Sequence, residues 1–249
     1  MELPNITPRQ HDILLLLYRF RFLNRLQLQN LLHHKDHKTI NTWLKDLTQK
    51  NITGRIYSHK LKENTKPAIY YLATKSKHYL ASQNQVNPKL LNRAYREKYR
   101  SQKFINHCLQ LADFYLELLK TTEKNGILHF FTKTDLSTHY YLPYNRPDAY
   151  IARQNGKTIK RYFLEIIDED TPRFMLRKKI GQYIDYYFSE KWQRKTHHPF
   201  PAILIICPNE TMDDFLKKYI AQSLEEEPEA DIDFYLSLKD KISWGNTLK

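Results

Sequence analysis

Cysteine is nearly absent from this chain. Its 249 residues include two, Cys108 and Cys207, far apart and without Cys or His neighbours at ligand spacing. That argues against a disulfide framework and a structural zinc site, and it suits a reducing cytoplasm. Long apolar runs are missing as well: the longest, of which Ile13 to Tyr18 is one, fall far short of the ~20 residues a membrane span requires. The N-terminus shows no succession of basic, apolar and small-residue regions of the kind that marks a secretory signal, and no repeat or low-complexity segment is visible. These absences lead us to expect a cytoplasmic protein with no membrane partner.

What is present in excess is positive charge, a formal +13. It is unevenly placed. Residues 1–90 hold 15 Lys and Arg against 5 Asp and Glu, a net of +10, whereas residues 91–249 hold 25 against 22, a net of +3. A basic module joined to a near-neutral one is the electrostatic footprint of a nucleic-acid-binding domain with a partner domain, because phosphate contacts supply most non-specific affinity. The bland alternative is a solvated basic face. The length allows two modest domains, each with its own core.

The first ninety residues read as three helices and a hairpin. Thr7-Pro8 is a helix start, with Pro8 at the first helical position, ahead of the apolar run from Ile13. Asn24 caps a second helix carrying Leu28, Leu31 and Leu32 on one face, and Asp36 caps a third from His37 to about Lys50. At 100° per residue, Ile40, Trp43, Leu44 and Leu47 form one stripe of that third helix, and Lys38, Thr42, Lys45 and Gln49 lie opposite. A buried seam backed by a polar face is the form of a recognition helix, whose Lys, Thr and Gln reach base edges or phosphates in the major groove. Residues 55–62 and 68–72 then read as strands around a turn at 63–67. The whole is a winged helix-turn-helix with Arg55, His59, Lys60, Lys62 and Lys66 on the wing. The same surface could instead face a protein.

A linker-like stretch at 83–88 suggests domains at 1–86 and 126–249, joined by a long bridging or dimerising helix from about Asn92 to Lys124 within residues 87–125. Phe104, Cys108, Leu111, Tyr115 and Leu118 share one side of it. His107 borders that side and is assigned no chemistry. Beyond Gly126, residues 127–131, 147–153, 158–167 and 201–207 read as strands, and Arg173 to Phe188 and Thr211 to Leu224 as helices, giving a mixed α/β domain.

Asp148 and Glu165 are 17 positions apart, on strands that the turn Gln154-Asn155-Gly156-Lys157 brings side by side. Two carboxylates so placed come within reach of one divalent ion. The pattern resembles the PD-(D/E)xK nuclease superfamily, a resemblance that implies Asp148 and Glu165 as Mg2+ ligands and a lysine two positions after the glutamate. Ile167 stands there instead, and an aliphatic side chain cannot donate to an attacking water. In some branches the lysine migrates to the following helix, which would make Lys178 or Lys179 the replacement. Lys178, Gln182 and Tyr186 share one helical face there, and the Q-x-x-x-Y spacing resembles a motif of the exonuclease branch. Strict strand alternation from Glu165 points Asp168 to the opposite face unless the strand ends or bulges.

An N-terminal winged helix, then R-P-D-A-Y at 146–150, F-L-E-I-I-D-E-D-T at 163–171 and K-K-I-G-Q-Y-I-D-Y-Y at 178–187, together resemble the bacterial replication-relaxation family along most of the chain. The resemblance implies a DNA-binding protein of a plasmid or mobile element, acting in replication, transfer-origin processing or transcriptional control. Implied partners are double-stranded DNA, a second copy of the chain, and a relaxase or replication proteins. Glu169-Asp170 depart from the family pattern, in which a basic or glycine residue usually follows the E-h-D phrase. We therefore expect an α+β protein that binds duplex DNA without catalysis or cofactor. The alternative is a Mg2+-dependent endonuclease using Asp148, Glu165 and Lys179.

Overall fold

The computed structural model describes residues 4–58, 65–83, 86–122 and 126–239. The chain divides into two compact units, Met1–Thr121 and Thr122–Lys249.

In the first unit the helix starts are those the sequence points to, and each is a reciprocal or doubled cap. Thr7 Oγ1 accepts the Gln10 N–H at 3.3 Å while Gln10 Oε1 accepts the Thr7 N–H at 3.0 Å, opening α1 (Pro8–Phe20). Asn24 and Gln27 repeat the arrangement for α2 (Arg25–Leu31). Asp36 accepts two backbone N–H groups, of Lys38 at 2.9 Å and Thr39 at 3.0 Å, at the start of α3 (His37–Gln49). Strand β1 (Phe22–Asn24), which the sequence did not reveal, joins β2 (Thr53–Ile56) and β3 (Ile69–Leu72) in an antiparallel sheet of order β1-β3-β2. The short helix α4 (Ser76–Ala81) follows.

The continuous helix expected from Asn92 is not formed. After the short helix α5 (Pro88–Leu91), that stretch is two pieces, α6 (Ala94–Glu97) and α7 (Gln102–Thr121). Glu97 explains the break, since its carboxylate is buried and held by Arg21 in a two-pronged contact, Nε to Oε1 at 2.9 Å and Nη2 to Oε2 at 3.0 Å. The exposed residues 98 and 99 follow it, and Ser101 Oγ then accepts the Phe104 N–H as α7 begins. Nor is α7 a separate bridge: it packs on β1, α2 and α1, with Ile105 and Cys108 against Phe22. The expected boundary at residue 86 thus moves to 121.

The second unit is a five-stranded mixed sheet of order β4-β5-β6-β7-β8. Strands β4 (Ile127–Thr132), β5 (Ala149–Asn155) and β6 (Thr158–Ile166) are antiparallel. Gly156 makes the tight β5–β6 turn at φ 58°, a left-handed conformation glycine adopts without a Cβ penalty. Helix α8 (Arg173–Phe188) carries the chain to β7 (Ala202–Cys207), parallel to β6, after the short helix α9 (Lys191–Thr196). Helix α10 (Glu210–Glu226) leads to β8 (Phe234–Leu238), parallel to β7. Phe163, Ile203, Ile205 and Phe234 from the sheet pack with Ile180, Tyr183, Leu216 and Ile220 from α8 and α10. One sheet face over β6 to β8 is thereby covered; Leu204 and Ile206, which alternate with Ile203 and Ile205, are buried as well, so β7 is buried on both faces and reads as an unbroken apolar run.

Candidate functional site

Two sets of side chains meet the requirements of a site. The first is the outer face of α3. Ile40, Leu44 and Leu47 are fully buried and fix the rotation of the helix, so Lys38, Thr42, Lys45 and Gln49 are all exposed. Trp43 is only half-buried, its ring 5.1 Å from that of His34. Thr42 Oγ1 donates back to the Lys38 carbonyl at 3.0 Å. On β2, Arg55 is exposed with its guanidinium 4.7 Å from the Tyr57 ring, and Lys66, ahead of β3, is exposed. His59, Lys60 and Lys62 lie outside the described residues.

The second set lies at one end of the β5–β6 ladder. The register ends on Ala149↔Leu164, which makes Asp148 and Glu165 the next opposed pair. In the β4–β5 register Phe131↔Tyr150 is followed by Thr132↔Ala149, so Lys133 is the neighbour of Asp148 in the same row. The row is therefore Lys133, Asp148, Glu165. Lys133 Nζ lies 3.8 Å from Asp148 Oδ1, and Asp148 Oδ2 accepts the Ile166 N–H at 2.9 Å. Both carboxylates are buried.

Helix α8 completes the cluster. Its inward stripe of Leu176, Ile180 and Tyr183 is buried against the sheet, and Lys179, flanking that stripe, reaches Glu165 Oε1 at 2.9 Å. Tyr183, one turn further on, donates its hydroxyl hydrogen bond to the same oxygen. Both donors meet Oε1; neither occupies Oε2. Burial pushes the Glu165 carboxyl above its ordinary range, against the pull of the Lys179 ammonium, and Asp148 adds to the rise. For Lys179 burial acts to lower the pKa, but Glu165 and Asp148 outweigh it, so the ammonium holds its proton more tightly than an ordinary lysine. Burial and then Glu165 raise the Tyr183 hydroxyl well above the usual tyrosine value, which keeps it a donor.

Of the two lysines the sequence offers, Lys179 faces the carboxylates and Lys178 is exposed. Gln182 donates instead to the Asn145 carbonyl at 2.9 Å. Tyr186 is buried in the core, its hydroxyl without a hydrogen-bond partner among the described residues. Asp168 follows the end of β6, half-buried and outside the row. Ile167 packs in the core. Tyr183 and Lys133 were not singled out from the sequence. The stripe Leu176-Ile180-Tyr183-Ile184 was the signal for Tyr183, since it sets the inward face on which residues 179 and 183 lie one turn apart.

Among the described residues no three His, Cys, Asp or Glu side chains gather as a metal centre. Two carboxylates with further oxygens from water and substrate phosphates nevertheless suffice for magnesium, so Asp148 and Glu165 fit that ion.

Two units, one largely helical and one built on a mixed five-stranded sheet with a buried carboxylate, lysine and tyrosine cluster, define an α+β protein. The chain belongs to the replication-relaxation family, whose model matches residues 14–203. No curated protein matches the sequence. The solved structure of the restriction endonuclease FokI is similar at 12% identity and a TM-score of 0.36, covering 96% of this chain and 45% of that one. FokI bound to DNA is similar at 12% identity and a TM-score of 0.32, with 96% and 45% covered. The chain thus spans less than half the length of these structures, and so loose a likeness transfers neither fold nor activity. Among the described residues no helix is long and apolar enough to cross a membrane.

Proposed function

We propose that the protein is a sequence-specific double-stranded DNA-binding protein of a plasmid or mobile element, cytoplasmic, and active in replication, transfer-origin processing or transcriptional control. The observation that carries this reading is α3: its apolar stripe is buried and Lys38, Thr42, Lys45 and Gln49 stand out together on the opposite face. The order α1-β1-α2-α3-β2-β3 supports reading the first unit as a winged helix, with Arg55 and Lys66 beside the groove that α3 enters. A homodimer would set two such helices on successive turns of a palindromic site. A relaxase or replication proteins are the further partners in this reading. Gel shifts over random and selected duplexes test it. Replacing Lys45 with Ala should weaken binding to the selected site by about 1–3 kcal/mol, whereas Lys66→Ala should weaken all duplexes alike and lower the salt slope by about one unit. Unchanged binding in both variants would sink the proposal.

A second reading is favoured by the contact of Lys179 with Glu165, which puts a cation where Ile167 leaves none. In it the second unit is a metal-dependent endonuclease, with Asp148 and Glu165 holding Mg2+ and Lys179 keeping its proton on Nζ beside the reacting phosphate. The ion, when bound, would supply Lewis-acid stabilisation of phosphoryl charge. Incubation of supercoiled plasmid with magnesium or manganese decides it: nicking by the wild type that Asp148→Ala abolishes supports this reading, and its absence leaves the row an architectural one.

A further inference from the structure

The row Lys133, Asp148, Glu165 heads a larger array on the same face of the sheet. The next rows, two residues down each strand, are Phe131, Tyr150, Phe163; then His129, Ala152, Arg161; then Ile127, Gln154, Ile159. Phe163 is covered by Trp192 and Phe200, and Trp192 also reaches the Tyr150 ring. Away from that cover the face is open. Phe131 is 41% exposed, Ile127 50% and Ile159 40%, and His129 is exposed too. Strand β4 is an edge of the sheet, and an uncovered apolar edge is a liability that folds ordinarily blunt.

Ring geometry and charge say what covers it. The His129 and Phe131 rings are 8° from parallel with centroids 6.4 Å apart, and Phe131 lies 6.1 Å from Tyr150 at 29°. These rings thus share an orientation along the strand edge. Arg161 stands in His129's row and meets the Tyr150 hydroxyl, and Lys133 marks the other end. The four rows carry two cations, Lys133 and Arg161, against two carboxylates, Asp148 and Glu165, and Lys179 of α8 adds a third cation at Glu165. The two carboxylates of the array, Asp148 and Glu165, are each already met by a lysine. Exposed rings of similar tilt flanked by cations match a polymer with flat apolar faces and a charged backbone. A duplex keeps its base faces stacked inside, where such rings cannot reach them; an unpaired strand presents them.

We propose that the open face of β4, β5 and β6 binds single-stranded DNA, with Phe131 and His129 stacking on unpaired bases and Arg161 and Lys133 meeting the phosphates. The assignment rests on the reading of the protein as one that handles DNA, but not on α3 and not on catalysis. It would place an unpaired strand alongside the row that ends in Asp148 and Glu165.

Fluorescence anisotropy of the full chain with a labelled oligothymidylate, an abasic oligonucleotide of equal length and a blunt duplex tests it. Phe131→Ala and Phe131→Leu should each weaken oligothymidylate binding about tenfold, as loss of one stacking ring does, and leave the abasic strand within about twofold. Phe131→Trp should restore it. Lys45→Ala should alter only the duplex arm, so a failure of the α3 reading appears there and nowhere else. Equal loss on both single strands would reduce the face to a charged surface and overturn the proposal. So would unchanged oligothymidylate binding together with a fall in sedimenting mass for Phe131→Ala, which would make the face a contact between copies.

Discussion

Glu165 is held on one oxygen by an ammonium and a phenol, and the burial that surrounds it makes those donors matter. Replacing Lys179 with Met keeps most of the side-chain volume and removes the charge. A buried carboxylate without its partner is costly, and with Lys179 one-fifth exposed we expect a loss of about 2–3 kcal/mol near neutral pH. The sign of the pH dependence follows from Glu165. Its folded-state pKa is already raised by burial, and losing the ammonium raises it further. A carboxyl of that kind contributes stability below its unfolded value of about 4.3 and loses it as pH climbs through the folded value. The deficit of Lys179→Met relative to wild type should therefore be largest near pH 8 and shrink toward about pH 4. Thermal melts across that range check it, and a deficit independent of pH would show that Lys179 acts by packing alone. Tyr183 explains why sequence reading stopped short here. Asp148 and Glu165 were legible because a recognisable turn opposes them, and Lys179 was legible as one of two lysines. The phenol depends on how α8 rolls against the sheet, and a one-residue error in that roll selects Lys178, Gln182 and Tyr186 instead.

At the scale of elements, capping chemistry and apolar period were the reliable signals. Thr7, Asn24 and Asp36 open the helices they were read to open, and α8 runs from Arg173 to Phe188 as the pattern indicates. What escaped has its cause in tertiary pairing. Strand β1 is three residues long and is a strand only because Phe22 and Leu23 lie against Tyr71 and Tyr70 of β3. Helix α9 starts after Glu190 at φ 51°, a backbone turn that no glycine announces. The long helix was misjudged because periodicity does not register an ion pair, and Glu97 turns inward to meet Arg21. Gln27 ties such elements together. Its carboxamide oxygen accepts the Asn24 N–H at 3.0 Å, and its amide donates to the Leu109 carbonyl at 2.9 Å and to Asp113 at 2.7 Å in α7. Asn24→Ala removes one cap and should cost about 1 kcal/mol. Gln27→Ala removes a cap together with the two hydrogen bonds that the buried Gln27 amide makes to α7, so it should cost about 2–3 kcal/mol in urea unfolding. Equal losses would mean that the bridge to α7 contributes nothing.

For the whole molecule, the boundary at Thr121 redistributes the charge. Residues 1–121 contain 21 Lys and Arg against 8 Asp and Glu, a net of +13, and residues 122–249 contain 19 of each, a net of zero. The first unit thus carries the entire excess. A fragment of residues 1–121 should keep nearly all of the salt-dependent affinity for duplex DNA, with a slope in log K against log salt within about one unit of the full chain. A slope cut by half would assign the missing phosphate contacts to the second unit. The crossover helix α8 has a different kind of consequence, one of timing. Lys179 follows Glu165 by only 14 residues, yet α8 packs against a sheet that β7 and β8 complete as far as Leu238. During synthesis the acidic pair is therefore made well before its cation is locked in place, and the row reaches its finished form only when the chain as far as Leu238 has left the ribosome.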